Sequence, residues 1–162
     1  MTHEESRLQQ QCVAWFRAQY PHYAMLLTHP ANEGNGNRIS GAIHKAEGTV
    51  AGVPDLLLFL PSYIPSEWSN GHVFTTVHGL GIEMKTDKGR QSSSQKDYQR
   101  LFQAAGYYYQ IVRSLEDFKS LIDTYMSLVH PARKFEVREA HIAIEEEKKN
   151  KERDKFLKTI KK

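Results

Sequence analysis

The sequence predicts an α/β domain in which a mixed central sheet carries helices on both faces. Leu56 to Leu60 is continuously apolar, as expected for a central strand covered on both sides. Periodicity along the chain reads helix, strand, short helix, strand, strand, helix, strand, helix. That order layers helices on a sheet. A length of 162 residues, 40% of them hydrophobic, is enough for one domain with a real core.

Each element has a local reason. Over residues 4 to 19, Leu8, Cys12, Trp15, Phe16 and Gln19 recur at helical spacing, and Tyr20-Pro21 ends the pattern. Tyr23 to Thr28 is apolar without a helical polar face and predicts a short buried strand. Residues 30 to 41 are rich in Pro, Asn and Gly and predict a loop, followed by a short helix over about 41–47. After the 56–60 strand, Pro61 to Gly71 has no period and reads as an excursion. Residues 72–77 and 80–85 read as strands interrupted by His78-Gly79. Ser92 or Ser93 caps a helix over about 94–105 that Gly106 stops. Tyr107 to Val112 is a strand whose tyrosines read as packing. Ser114 caps a helix to about Val129, with Glu116 and Asp117 in its first turn, and Pro131 ends it.

Residues 131–162 stand apart in composition. They hold 11 Lys+Arg against 7 Asp+Glu, net +4, whereas residues 1–130 hold 11 against 12, net −1. The expected division is a domain over 1–130 and a charged, helical tail over 131–162. Composition alone therefore gives no duplex-wide basic face. The single cysteine, Cys12, excludes an intramolecular disulfide framework and a cysteine zinc cluster. The opening residues lack a basic stretch followed by an apolar one, and no apolar run reaches the roughly 20 residues of a membrane span. A cytoplasmic protein without membrane contact is expected. His72 and His78 lie in no zinc motif, and Trp68 in the excursion is the better candidate for an exposed aromatic contact.

The chemistry concentrates between residues 52 and 85. Asp55 stands at the mouth of one strand, and Glu83, Met84 and Lys85 close another. Strand alternation puts Glu83 and Lys85 on one side and Met84 on the other. Two carboxylates and an ammonium meeting at one point suit a divalent cation and a phosphodiester. Magnesium prefers oxygen ligands, so Asp55, Glu83 and the Met84 carbonyl are the expected ligands. Lys85 would hold or polarise the attacking water.

The Gly52-Val53-Pro54-Asp55-Leu56 run and Glu83-Met84-Lys85 resemble the Gly-x-Pro-Asp-Leu and Glu-x-Lys signatures of the VRR-NUC family, a branch of the PD-(D/E)xK nucleases. Ser92 to Gln95, then Leu101 and Ala105-Gly106, is similar to that family's Ser-x-x-Gln helix. Glu5 with Leu8 and Gln9 resembles its opening helix, and His29, Pro30 and Asn32 its His-Pro loop. The resemblance runs through most of residues 5 to 118. It implies a restriction-endonuclease-like core and a metal-dependent DNA endonuclease using Mg2+, with Mn2+ as substitute. It implies site roles for Glu5 and Gln95, and DNA or site-edge contacts for His29 and Asn32. Lys88, Arg90 and Lys96 gather near the same edge and suit phosphates. Proteins of this kind and size are often bacterial or phage-encoded, and some resemble Holliday-junction resolvases that act as homodimers on branched DNA. The chain departs from the pattern in the long insert from Pro61 to about Gly79 and in its tail. The competing expectations are a flap or restriction-like nuclease, and a non-enzymatic DNA-binding or assembly protein that keeps the fold.

Overall fold

The computed structural model describes residues 3–30, 43–65 and 74–160. The loop expected over 30–41 falls almost wholly outside them, and so do Asn32, Trp68 and His72. The elements are α1 (His3–Gln19), a 3-10 helix (Pro21–Leu26), β1 (Leu27–Thr28), β2 (Leu56–Leu58), β3 (Ser62–Pro65), β4 (Phe74–Val77), β5 (Leu80–Met84), α2 (Ser93–Ala104), β6 (Tyr108–Val112), α3 (Leu115–Ser127) and α4 (Pro131–Ile160). A single helical turn occupies residues 43–46.

The central sheet runs β1-β2-β5-β6. β1 pairs with β2 and β2 with β5 antiparallel, while β5 and β6 are parallel. A parallel pair needs a crossover, and α2 supplies it. The sheet is thus mixed and flanked by helices, an architecture consistent with the restriction-endonuclease-like class. α1 and α3 cover one face. There Cys12 and Phe16 meet Leu56, Leu58, Leu80, Ile82, Met84 and Val112, and Phe118, Ile122 and Met126 close the cluster. Burial pushes the Cys12 thiol up to about 12, so it stays a protonated core side chain. α2 lies over the other face, where Phe102 stacks on Tyr107 at 4.4 Å. Gly81 makes that approach possible, because a Cβ there would press within 2.8 Å of both Phe102 and Pro54.

Three expectations need correction. Tyr23 to Thr28 is not one strand. Pro21 opens a 3-10 helix with no buried residue, and only Leu27 and Thr28 join the sheet. Pro21 presets the helical φ and lacks an N–H that this position does not need. The excursion from Pro61 contains strand β3, which pairs with β4 as a separate two-stranded sheet. The strands on either side of His78-Gly79 therefore belong to different sheets. Ser62 Oγ donates to the Tyr125 carbonyl at 3.0 Å and Tyr125 Oη to the Leu60 carbonyl at 2.7 Å, which anchors β3 on α3. The Leu56 strand is also shorter than expected, since Phe59 turns outward, 51% exposed.

The capping expectations hold. Ser92 and Gln95 form a reciprocal capping box on α2, and Ser114 accepts the Asp117 N–H on α3. Gly106 stops α2 at φ +84°. Pro131 also opens α4, whose first half lies against the 3-10 helix. Tyr23 Oη donates to the Lys134 carbonyl at 3.2 Å, and His22 and His141 meet through Nδ1 atoms 3.3 Å apart. No described helix is long and apolar enough to cross a membrane.

Candidate active site

The sheet ends where its two faces stop being alike. Leu80, Ile82 and Met84 of β5 point into the α1–α3 core, and Gly81 and Glu83 face α2. Glu83 is fully buried, and Lys85, one residue past the strand, is 8% exposed. Their same-side placement brings Lys85 Nζ within 2.7 Å of Glu83 Oε1. The carboxyl end of a strand, where a ladder runs out into a crevice, is a common place for ligands in α/β sheets.

Asp55 arrives from β2. Gly52 has φ +90°, and a Cβ there would overlap the Ser94 carbonyl, so a glycine lets this loop lie against the first turn of α2. Leu56 pairs with Ile82, and the same register would set Pro54 opposite Met84. Proline has no N–H to offer the Met84 carbonyl. The Asp55 side chain takes the Met84 N–H instead, through Oδ2 at 2.7 Å. In an antiparallel ladder a residue's N–H and C=O point the same way. The Met84 carbonyl therefore opens on the Asp55 side without a ladder donor from Pro54. His29 Nδ1 donates to the Asp55 carbonyl at 2.6 Å, which sets its tautomer and holds the loop from the β1 side.

Three further side chains close in. Gln95 accepts the Ser92 N–H at 2.8 Å through Oε1 and donates through Nε2 to Glu83 Oε1. It caps α2 and reaches Glu83 at once. Glu5, 7% exposed at the start of α1, lies 4.0 Å from Lys85 Nζ. Tyr109 Oη, read from sequence as packing alone, donates to Glu83 Oε2 at 3.2 Å. Tyr109 stands opposite Gly81 in the parallel register, so its ring runs diagonally to Glu83 on the same face. Gln91 backs it, donating to Tyr109 Oη at 3.3 Å and to Gln99 Oε1 at 2.9 Å. Sequence reasoning also missed Arg113. Its guanidinium donates to the Thr86, Asp87 and Gly89 carbonyls and pins the turn after Lys85. The cue for Arg113 was present in its position at the end of β6, beside the end of β5. Gln9, one turn beyond Glu5, has a buried Oε1 with no hydrogen-bond partner.

Among the described residues, the carboxylates of Glu5, Asp55 and Glu83 gather around the Lys85 ammonium. Burial lifts Asp55 above the ordinary carboxylate range, against the Met84 N–H and Lys85 and with help from Glu5. Burial likewise raises Glu83, against its bond from Lys85 and with repulsion from Asp55. Among the described residues no group of three or more His, Cys, Asp or Glu side chains is placed to hold a metal ion. Lys88, Arg90 and Lys96 are exposed on the loop after β5 and the first turn of α2. A cavity of about 400 Å³ opens against Glu5 and Lys85, lined also by Arg7, Gln11, Thr86 and Arg113.

No protein-family model matches the chain, and no curated protein matches it. A solved structure described as a VRR_NUC domain protein is similar in fold, with a TM-score of 0.61 and 21% identity over 80% of this chain and 93% of that one. At that identity the likeness shows the fold. The class defined so far is a mixed α/β scaffold similar to that of a VRR_NUC domain protein, with a buried acid–lysine cluster at the end of its central strand.

Proposed function

We propose that this chain is a metal-dependent deoxyribonuclease of the PD-(D/E)xK type, in the VRR-NUC branch. The observation that carries the reading is the convergence of Asp55, Glu83 and Lys85 at the end of β5, with Met84 N–H on Asp55 and Lys85 Nζ on Glu83. The donor set suits Mg2+ or Mn2+. Asp55, the Met84 carbonyl and one lone pair of Glu83 would be the protein ligands. Magnesium keeps several waters and often takes only one or two carboxylates beside substrate oxygens, so a cluster of three acidic side chains is not required. When bound, such a cation stabilises phosphoryl charge and lowers the pKa of a water.

The chain's own groups supply the rest. Lys85, held by Glu83 and near Glu5, orients the attacking water and offsets charge on the phosphoryl oxygens. Gln95 holds Glu83 Oε1 in place. The cavity beside Lys85 takes a nucleotide of the cleaved strand, and Lys88, Arg90, Lys96, His29 and Asn32 hold flanking DNA. We assign residues 1–130 to the nuclease domain and 131–162 to a tail. The substrate class is branched DNA, with Holliday-junction resolvase-like cleavage by a homodimer in the cytoplasm of a bacterium or of a phage's host.

The test is cleavage of four-way junctions, flaps and linear duplex by the purified chain with Mg2+, Mn2+ or EDTA. Metal-stimulated cutting that prefers junctions, abolished in Asp55→Ala and Glu83→Ala, is expected. Equal cutting by wild type and both variants overturns the assignment. The competing reading, a DNA-binding or assembly protein on the same scaffold, draws on the lack of a three-acid cluster among the described residues. It would be favoured by junction binding without metal-stimulated cutting.

A further inference from the structure

We infer that Tyr109 is a positioning residue of the cation site, whose phenolic O–H decides which lone pair of Glu83 is left for the metal. The inference rests on the nuclease reading above. A carboxylate has about four lone-pair positions, two on each oxygen. On Glu83, Oε1 accepts both Lys85 Nζ and Gln95 Nε2, so its two positions are taken. Oε2 accepts Tyr109 Oη and keeps one. Glu83 is fully buried, so water from bulk solvent does not complete its shell.

Tyr109 is itself held. It is 2% exposed, its ring meets Phe102 edge to face, and Gln91 Nε2 donates to its hydroxyl. That last bond matters for direction. A hydroxyl that accepts from Gln91 is oriented to give its own hydrogen to Glu83 Oε2. Gln91 is tied in turn to Gln99 on α2. The chain Gln99–Gln91–Tyr109–Glu83 thus links the crossover helix to the carboxylate. Without the phenol, Glu83 could rotate about its Oε1 bonds and present Oε2 at another angle. Outer-shell partners of metal ligands are worth about 10- to 100-fold in affinity or activity.

The experiment uses the full chain and the isosteric variant Tyr109→Phe, which keeps the ring and removes only the hydroxyl. Manganese binding is measured by calorimetry without DNA, and cleavage is followed through a manganese titration. The half-saturating Mn2+ concentration should rise about 10-fold or more, with KM for DNA unchanged. Gln91→Ala should shift it the same way by less. Tyr108→Phe, whose hydroxyl accepts from Gln110 instead, should leave it unchanged. A folded Tyr109→Phe protein with wild-type manganese dependence overturns the inference and leaves the nuclease reading standing. If circular dichroism shows that variant unfolded, an unshifted Gln91→Ala overturns it. A wild type that binds no manganese and cuts nothing overturns both.

Discussion

The two faces of β5 are equally buried and chemically opposite. All five residues from Leu80 to Met84 are out of solvent. Leu80, Ile82 and Met84 sit in a dry apolar cluster with α1 and α3. Glu83 sits among donors from Lys85, Gln95 and Tyr109. The apolar face gains by burial alone. The acidic face loses by burial and is held only because its carboxylate is bonded on both oxygens. One strand therefore holds the fold with one side and keeps a buried, hydrogen-bonded carboxylate on the other. Substitutions should sort accordingly, as losses of stability on one side and of activity on the other.

The largest expected effect is on the acidic face. Lys85→Ala should cut metal-dependent cleavage on the order of 10²- to 10³-fold, the usual scale for losing one preorganised donor at a reacting centre. Steady-state cleavage of a labelled junction measures it. Wild-type turnover in a folded Lys85→Ala protein would break the contrast. On the opposite face, Ile82→Ala should cost about 2–5 kcal/mol of stability through lost transfer energy and an unfilled cavity. Activity per folded molecule should stay within a few-fold. Urea unfolding with activity at matched folded fraction separates the two.

A third prediction turns on pH. The raised carboxyls of Asp55 and Glu83 contribute stability that is fully present below their unfolded pKa values, about 3.9 and 4.3. It is lost as pH rises through the higher folded values. In EDTA, the melting temperature of wild type relative to Asp55→Asn should therefore fall as pH rises from 4 towards 8. Asparagine keeps an acceptor for the Met84 N–H but carries no charge. At neutral pH the variant should be more stable by about 0.5–2 kcal/mol, the scale of activity traded for stability. Adding Mn2+ should reverse the order, because metal competes with protons for carboxylates. A variant no more stable than wild type in EDTA would show that the acid cluster carries no strain.

The fold was largely legible because its elements carry local signals. Ser92 and Ser114 caps, Gly106 and the Leu56 run each announce a boundary or a buried strand without reference to distant residues. The acid–lysine core was legible because strand alternation fixes Glu83 and Lys85 on one side. Other features depend on register across strands. Tyr109 read as packing because nothing local says that Gly81 stands opposite it or that Glu83 lies on its diagonal. Arg113 was missed because its partners, the Thr86, Asp87 and Gly89 carbonyls, are distant along the chain and meet it only through the β5–β6 pairing. β3 was missed because Ser62-Tyr63-Ile64-Pro65 is short and carries Pro65 at its end, so only pairing with β4 makes it a strand. The 3-10 helix was misread because its apolar residues pack partly against α1 and α4 rather than entering the sheet.

The smallest expected effect lies far from the sheet, in α4. Residues 134, 137, 141, 142 and 145 are half-buried at helical spacing, and Val137 packs on the core. From residue 146 to 159 every side chain is exposed, including Phe156 at 67%. A segment of about 12–15 residues is marginal as a helix in water by itself. Pairs such as Glu145–Lys148 at 2.9 Å and Glu147–Lys151 at 3.9 Å add only about 0.2–0.5 kcal/mol each. Ending the chain after Glu145 should therefore change unfolding free energy by less than about 0.5 kcal/mol. Amide exchange in the full chain should show protection through residue 145 and little beyond it. The same truncation tests the homodimer, because a second copy seated on the distal half would protect those amides in the full chain and the doubled mass in sedimentation would be lost on truncation. Protection beyond residue 145 at high protein concentration, lost on dilution, would make the distal half a dimer contact. Its absence at all concentrations would leave pairing, if it occurs, to the rest of the chain.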